Sequence, residues 1–227
     1  YIVLFFMTNS KTTQLLKDFV EQEPSILNLY VYGSQVYGTV NSQSDFDFIC
    51  IIQDSSFLEN KEYIANLEKF GDFNFFTANE FDNLVKQHEI TALECLFLDS
   101  QFILKEKQSF SFDLNLPQLR HAISSKSSNS WVKSKKKFIV EEDFNPYIGK
   151  KSAFHSLRIL NFGTQIAKHH KIIDYSSANH YFDEIMKLNS WDDINHQFKS
   201  VYNSLSTEFK LVAPKEITLI TNNKVKP

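Results

Sequence analysis

The chain has 227 residues, of which 42% are hydrophobic and 22% charged, with a net charge of −3. That is the ordinary globular mixture, which excludes a disordered chain and argues against a general nucleic-acid coat. The length allows one domain or two small ones around a real core. Cys50 and Cys95 lie in apolar runs without the close pairing of a zinc site or a disulfide framework, so buried thiols in a reducing, cytoplasmic compartment are expected. Tyr1 to Phe6 is apolar but too short for a signal peptide or a membrane span, and Met7 reads as the native start. Nothing else approaches membrane length. The 22 phenylalanines supply core volume and carry no functional weight.

Ser10 to Val20 has helical spacing in Leu15, Leu16, Phe19 and Val20, with Ser10 or Thr12 as the cap. Leu27 to Tyr32 reads as a strand that stops at Gly33-Ser34, and Asp45 to Ile52 reads as its neighbour. Lys61 to Phe70 is a helix, Phe73 to Phe76 a third strand, and Asn79 to His88 a further helix. Beyond Pro117 the pattern turns wholly helical: Gln118 to Val140, Lys150 to His170, Tyr181 to Leu188 and Trp191 to Phe209. Leu114 to Pro117 marks the boundary between halves, and a loop around Asn145-Pro146 separates two helices. The expected class is α/β, a mixed β-sheet flanked by helices over 1–113 and a helical half over 114–227.

The chemistry gathers in Tyr32-Gly33-Ser34, Gly38 and Ser44-Asp45-Phe46-Asp47. A strand ending in Gly-Ser lets backbone approach a ligand, and amides opening a following helix point at phosphate oxygens. The Ser34 hydroxyl adds a donor. Side chains two apart on a strand share a face, so Asp45 and Asp47 present two carboxylates side by side, the hard oxygen donors that magnesium shares with substrate phosphates. A Gly-Ser turn or an Asp-x-Asp pair alone is commonplace. Here the pair runs into the apolar stretch Phe48 to Ile52, and carboxylates entering a buried strand need partners.

Lys151, His155 and Arg158 are spaced four and three apart, which puts them on one face of a helix. Glu94 sits between Leu93 and Leu96, where a carboxylate needs a partner. A structural ion pair with the helical half is favoured there over orientation of a site cation. His169 and His170 are adjacent and diverge on a helix, so an interaction with the helix C-terminus is expected rather than a metal site. From Leu114 to Val140 there is no acidic residue beside Arg120, Lys126, Lys133, Lys135, Lys136 and Lys137. In a helix Lys133, Lys136 and Lys137 share a face and Lys135 diverges, so the first three are the candidate contacts to a phosphate backbone.

The Gly-Ser, Gly and Ser-Asp-x-Asp pattern resembles the predicted nucleotidyltransferase branch of the DNA polymerase beta superfamily. The likeness continues through Asp72 to Phe76, Ala92 to Phe97 and Lys151 to Arg158. It implies a magnesium-dependent enzyme, with manganese as substitute, that moves a nucleoside monophosphate from a nucleoside triphosphate to a hydroxyl. It implies a third metal-binding carboxylate at Asp72, with Asn74 two residues on along the same face. It implies catalysis by Asp45, Asp47 and Asp72, nucleotide contacts at Gly33, Ser34, Lys151, His155 and Arg158, and a helical half that binds nucleotide and acceptor. The basic segment makes RNA, such as a tRNA 3′ end, the first choice of acceptor. A protein hydroxyl comes second, a small molecule third, and an inactive binding or antitoxin module is the non-enzymatic alternative.

Overall fold

The computed structural model describes residues 13–41 and 44–216, and the Tyr1 to Phe6 stretch, Met7 and the Ser10 or Thr12 cap lie outside them. In chain order the elements are α1 (residues 13–21), β1 (Ile26–Tyr32), α2 (Ser34–Tyr37), β2 (Asp47–Ile52), α3 (Lys61–Leu67), β3 (Asp72–Thr77), α4 (Ala78–Lys86), α5 (Ile90–Leu96) and β4 (Ile103–Glu106). The helices α6 (Leu116–Ile139), α7 (Pro146–His169), α8 (Phe182–Lys187) and α9 (Trp191–Val212) follow. Two compact units result, Tyr1–Asp113 with Lys171–Lys187 and Leu114–His170 with Leu188–Pro227. The stretch 171–187, expected in the second half, clusters with the first. Its Tyr175 hydroxyl donates to the Glu94 carbonyl at 2.6 Å, and its Asn179 Nδ2 donates to the Tyr37 carbonyl at 2.7 Å.

The first unit is a mixed four-stranded sheet in the order β3-β2-β1-β4. β1 runs antiparallel to β2 and β4, and β2 runs parallel to β3. Alternation along β2 and β3 sorts their side chains between two faces. Phe48 and Phe73 are register partners whose rings stack at 4.7 Å, with Phe46 on Phe48 and Phe75 on Phe73. That face continues through Phe57 and Tyr63 to Phe19 of α1. On the other face Tyr30 and Phe76 pack against Phe81 of α4. α4 starts where β3 ends because Thr77 closes a capping box with Glu80.

Two elements went unread in the sequence. α5 opens at Glu89 with no side-chain cap bond, and β4 is four residues long with a buried lysine. Lys105 is tolerated there because its Nζ donates to the carbonyls of Val20 and Glu23 at 2.6 and 2.7 Å, which end α1. Cys50 and Cys95 are both free and buried, and burial pushes the Cys50 thiol up to about 12.

The second unit packs α6, α7 and α9 together. α6 turns Leu119, Ile123, Ser127, Ser130, Trp131 and Ser134 inward, and the Ser127 hydroxyl donates to the Ser156 carbonyl at 2.9 Å. α7 begins four residues before the expected Lys150, since Asn145 caps it and Pro146 takes its first turn. Among the described residues no helix is long and apolar enough to cross a membrane.

Candidate functional site

β1 delivers the chain to Gly33, which adopts φ 73 before the single turn of α2. A Cβ on Gly33 would lie 2.1 Å from Asp47 Oδ2, so the missing side chain is what lets the Asp47 carboxylate rest against the turn. α2 is only four residues long and opens at Gly33 with no side-chain cap bond.

Asp47 is the first residue of β2 and is half-buried, and its register partner on β3 is Asp72. Partners on adjacent strands project from the same face, so the two carboxylates stand side by side. The Asp72 amide donates to the Phe46 carbonyl at 2.8 Å, which fixes this register. Gly71 makes the approach feasible, because a Cβ there would sit 2.3 Å from the same carbonyl. Asn74 pairs with Ile49, one pleat further along. Asp45 is exposed and lies two residues ahead of Asp47, before the strand begins.

Among the described residues no three His, Cys, Asp or Glu side chains converge on a metal-sized space. Asp45, Asp47 and Asp72, the three carboxylates expected to hold magnesium, are accordingly not drawn together as a cluster in this structure.

Residues 14–102 match the family described as polymerase beta, nucleotidyltransferase. The chain carries a polymerase beta nucleotidyltransferase domain. Asp45, Asp47, Asp72 and the Gly33 turn all lie inside the matched stretch. No curated protein matches the chain. Among solved structures, spectinomycin adenyltransferase AAD(9) from Enterococcus faecialis, with ATP and spectinomycin, is similar at 12% identity. The match covers 90% of this chain and 99% of that one, with a TM-score of 0.46.

Lys151, His155 and Arg158 all lie on α7 but differ in burial. Arg158 is buried on α7, its guanidinium against the rings of Phe154 and Phe162, and its Nη2 donates to His155 Nδ1 at 2.7 Å. Burial, and then the charges of Arg158, Lys126 and Lys133, hold the His155 imidazole well below its ordinary value. His155 is thus a neutral acceptor that orients the arginine. Lys151 is exposed and lies over the Tyr147 ring at 5.4 Å. Of the lysines assigned to a phosphate backbone, Lys133 and Lys136 are exposed, as is Lys135. Lys137 instead forms an ion pair with Asp143, so the acidic turn Glu141–Asp143 after α6 withdraws it.

Glu94 has no exposed surface, and its Oε2 accepts from the hydroxyls of Tyr32 and of Tyr37, the latter at 2.9 Å. Both donors are tyrosines of the nucleotidyltransferase domain, whereas the sequence favoured an ion pair with the helical half. Tyr32 stood in the sequence pattern only as the residue before Gly33-Ser34, and Tyr37, Tyr175 and Asn179 were not singled out at all. The one available signal was a carboxylate inside an apolar run.

Proposed function

We propose that the domain transfers a nucleoside monophosphate from a nucleoside triphosphate to the 3′ hydroxyl of an RNA, with Asp45, Asp47 and Asp72 as its working carboxylates. The in-register pair of Asp47 and Asp72 beside the Gly33 turn is the observation that supports this reading most. Two neighbouring carboxylates together with substrate phosphate oxygens are a donor set that suits magnesium, with manganese as substitute. When bound, that ion neutralises phosphate charge and lowers the pKa of the attacking hydroxyl.

The chain's own groups then have separable tasks. Asp47 and Asp72 hold the site's negative charge on one face of the sheet. Asp45, exposed and just ahead of the strand, accepts the acceptor's proton. The acceptor oxygen bonds to the α-phosphorus as the bond to the β-phosphate oxygen breaks, and pyrophosphate leaves. The Ser34 hydroxyl donates to a phosphate oxygen, and the Gly33 backbone allows the close approach. Arg158, oriented by neutral His155, offers a phosphate two parallel N–H donors, whereas Lys151 offers a point charge.

RNA is the acceptor of choice because α6 carries exposed Lys133 and Lys136 and no acidic residue. The test is to incubate the protein with each α-labelled nucleoside triphosphate and, in turn, total RNA, total protein and a small-molecule extract. Label in RNA, reduced when Lys133 and Lys136 become alanine, is the expected result. Label only in protein or in small molecules would discard the RNA acceptor and keep the transferase.

A further inference from the structure

We infer that Glu94 is a positioning residue for the carboxylate site, acting through the two tyrosines that bracket the Gly33 turn; the inference rests on the metal role proposed above for Asp47. Glu94 is wholly buried on α5, and one oxygen of its carboxylate receives two phenol hydrogens. Two donors on one oxygen suit the ionised form, and a buried carboxylate is retained only where such bonds compensate its lost hydration.

Both tyrosines are tied to the site by backbone. Tyr32 is the register partner of Asp47 across β1 and β2, so the two side chains rise from the same face of the sheet. Tyr37 ends α2, the turn that follows Gly33, and its ring meets the Tyr32 ring edge-on at 5.9 Å. The Asp47 carboxylate lies against Gly33, between these two anchor points in the chain. Glu94 therefore pins the strand end and the following turn to one buried point, which sets where Gly33 meets Asp47.

The brace is closed from a second direction. Tyr175 donates to the Glu94 carbonyl and Asn179 to the Tyr37 carbonyl, so the returning stretch 171–187 holds both the anchor and the turn it anchors. None of these five residues needs to touch substrate to matter. Their effect is on the placement of Asp47.

The experiment is a Mn2+ titration of the full chain followed by water-proton relaxation, with the thermal midpoint measured on every variant. The variants are Asp47→Asn, Glu94→Gln and Tyr32→Phe, the last removing a single hydroxyl in case Glu94→Gln does not fold. The wild type should take up Mn2+ and Asp47→Asn should lose that uptake. Tyr32→Phe and Glu94→Gln should weaken it about tenfold, a shift of roughly one decade in Kd. Normal Mn2+ affinity in folded Tyr32→Phe and Glu94→Gln, whatever their midpoints, would overturn the positioning role while leaving the Asp47 reading intact. Wild-type Mn2+ affinity in Asp47→Asn, or none in the wild type, would overturn that reading and the inference with it.

Discussion

The two units of this chain carry their charged residues in different ways. On β2 and β3 a period of two sends every other residue to one face, and parallel pairing then sets Asp47 beside Asp72. On α6 and α7 the residues that share a helical face meet different fates: Arg158 is buried against phenylalanines, His155 is half-buried and Lys151 is exposed. A strand's alternation and register decide what its side chains can do together. Helical spacing decides only which side chains are neighbours, and burial does the rest.

The largest expected contrast lies within the sheet itself. Phe48→Ala should cost about 3–5 kcal/mol in a denaturant titration, because it empties a fully enclosed site between Phe46 and Phe73. Asp72→Ala, on the opposite face of the neighbouring strand, should cost less than about 0.5 kcal/mol, since it removes an exposed carboxylate beside a like charge. Similar losses for both would break the assignment of one face to folding and the other to function.

The same contrast on α7 is smaller. Arg158→Ala should cost about 1–3 kcal/mol through lost packing and the orphaned His155 acceptor, whereas Lys151→Ala should stay within about 0.5 kcal/mol. Triphosphate affinity, measured by calorimetry, should fall more for Arg158→Ala. Equal effects on both quantities would contradict the division of the two residues by burial and leave only the shared helix face that their spacing implied.

Much of the sheet's site was legible because Ser-Asp-Phe-Asp-Phe and Asp-Phe-Asn-Phe-Phe state their alternation outright. The choice between Asp72 and Asn74 as the neighbour of Asp47 was not, since it depends on the Asp72 amide meeting the Phe46 carbonyl across the sheet. Glu94 was visible as a buried carboxylate, but its donors lie 62 and 57 residues away and nothing local names them. The withdrawal of Lys137 was hidden differently. Asp143 is six residues on, beyond the reach of helical pairing, and meets the lysine only because α6 ends and a short turn folds back.

A gentler probe separates the units by pH. The folded chain holds His155 neutral to below the pH at which the unfolded chain protonates it, so between those values the unfolded state binds the extra proton. Stability should therefore be full above about pH 6.5 and decline below it, by up to about 1.4 kcal/mol per pH unit for each such histidine. His88 in the sheet unit is lowered by burial as well, so His155→Gln should remove only part of the slope. A slope unchanged by His155→Gln would place the whole effect in the sheet unit.

The central claim is that this nucleotidyltransferase domain works through the carboxylates at the start of β2. Its most direct test is transfer of label from an α-labelled nucleoside triphosphate by the wild type, Asp45→Asn and Asp47→Asn, with circular dichroism confirming that all three are folded. The account predicts transfer by the wild type and a loss of at least about a hundredfold, roughly 2.7 kcal/mol of barrier, in each variant. Turnover at the wild-type rate in both folded variants would contradict it.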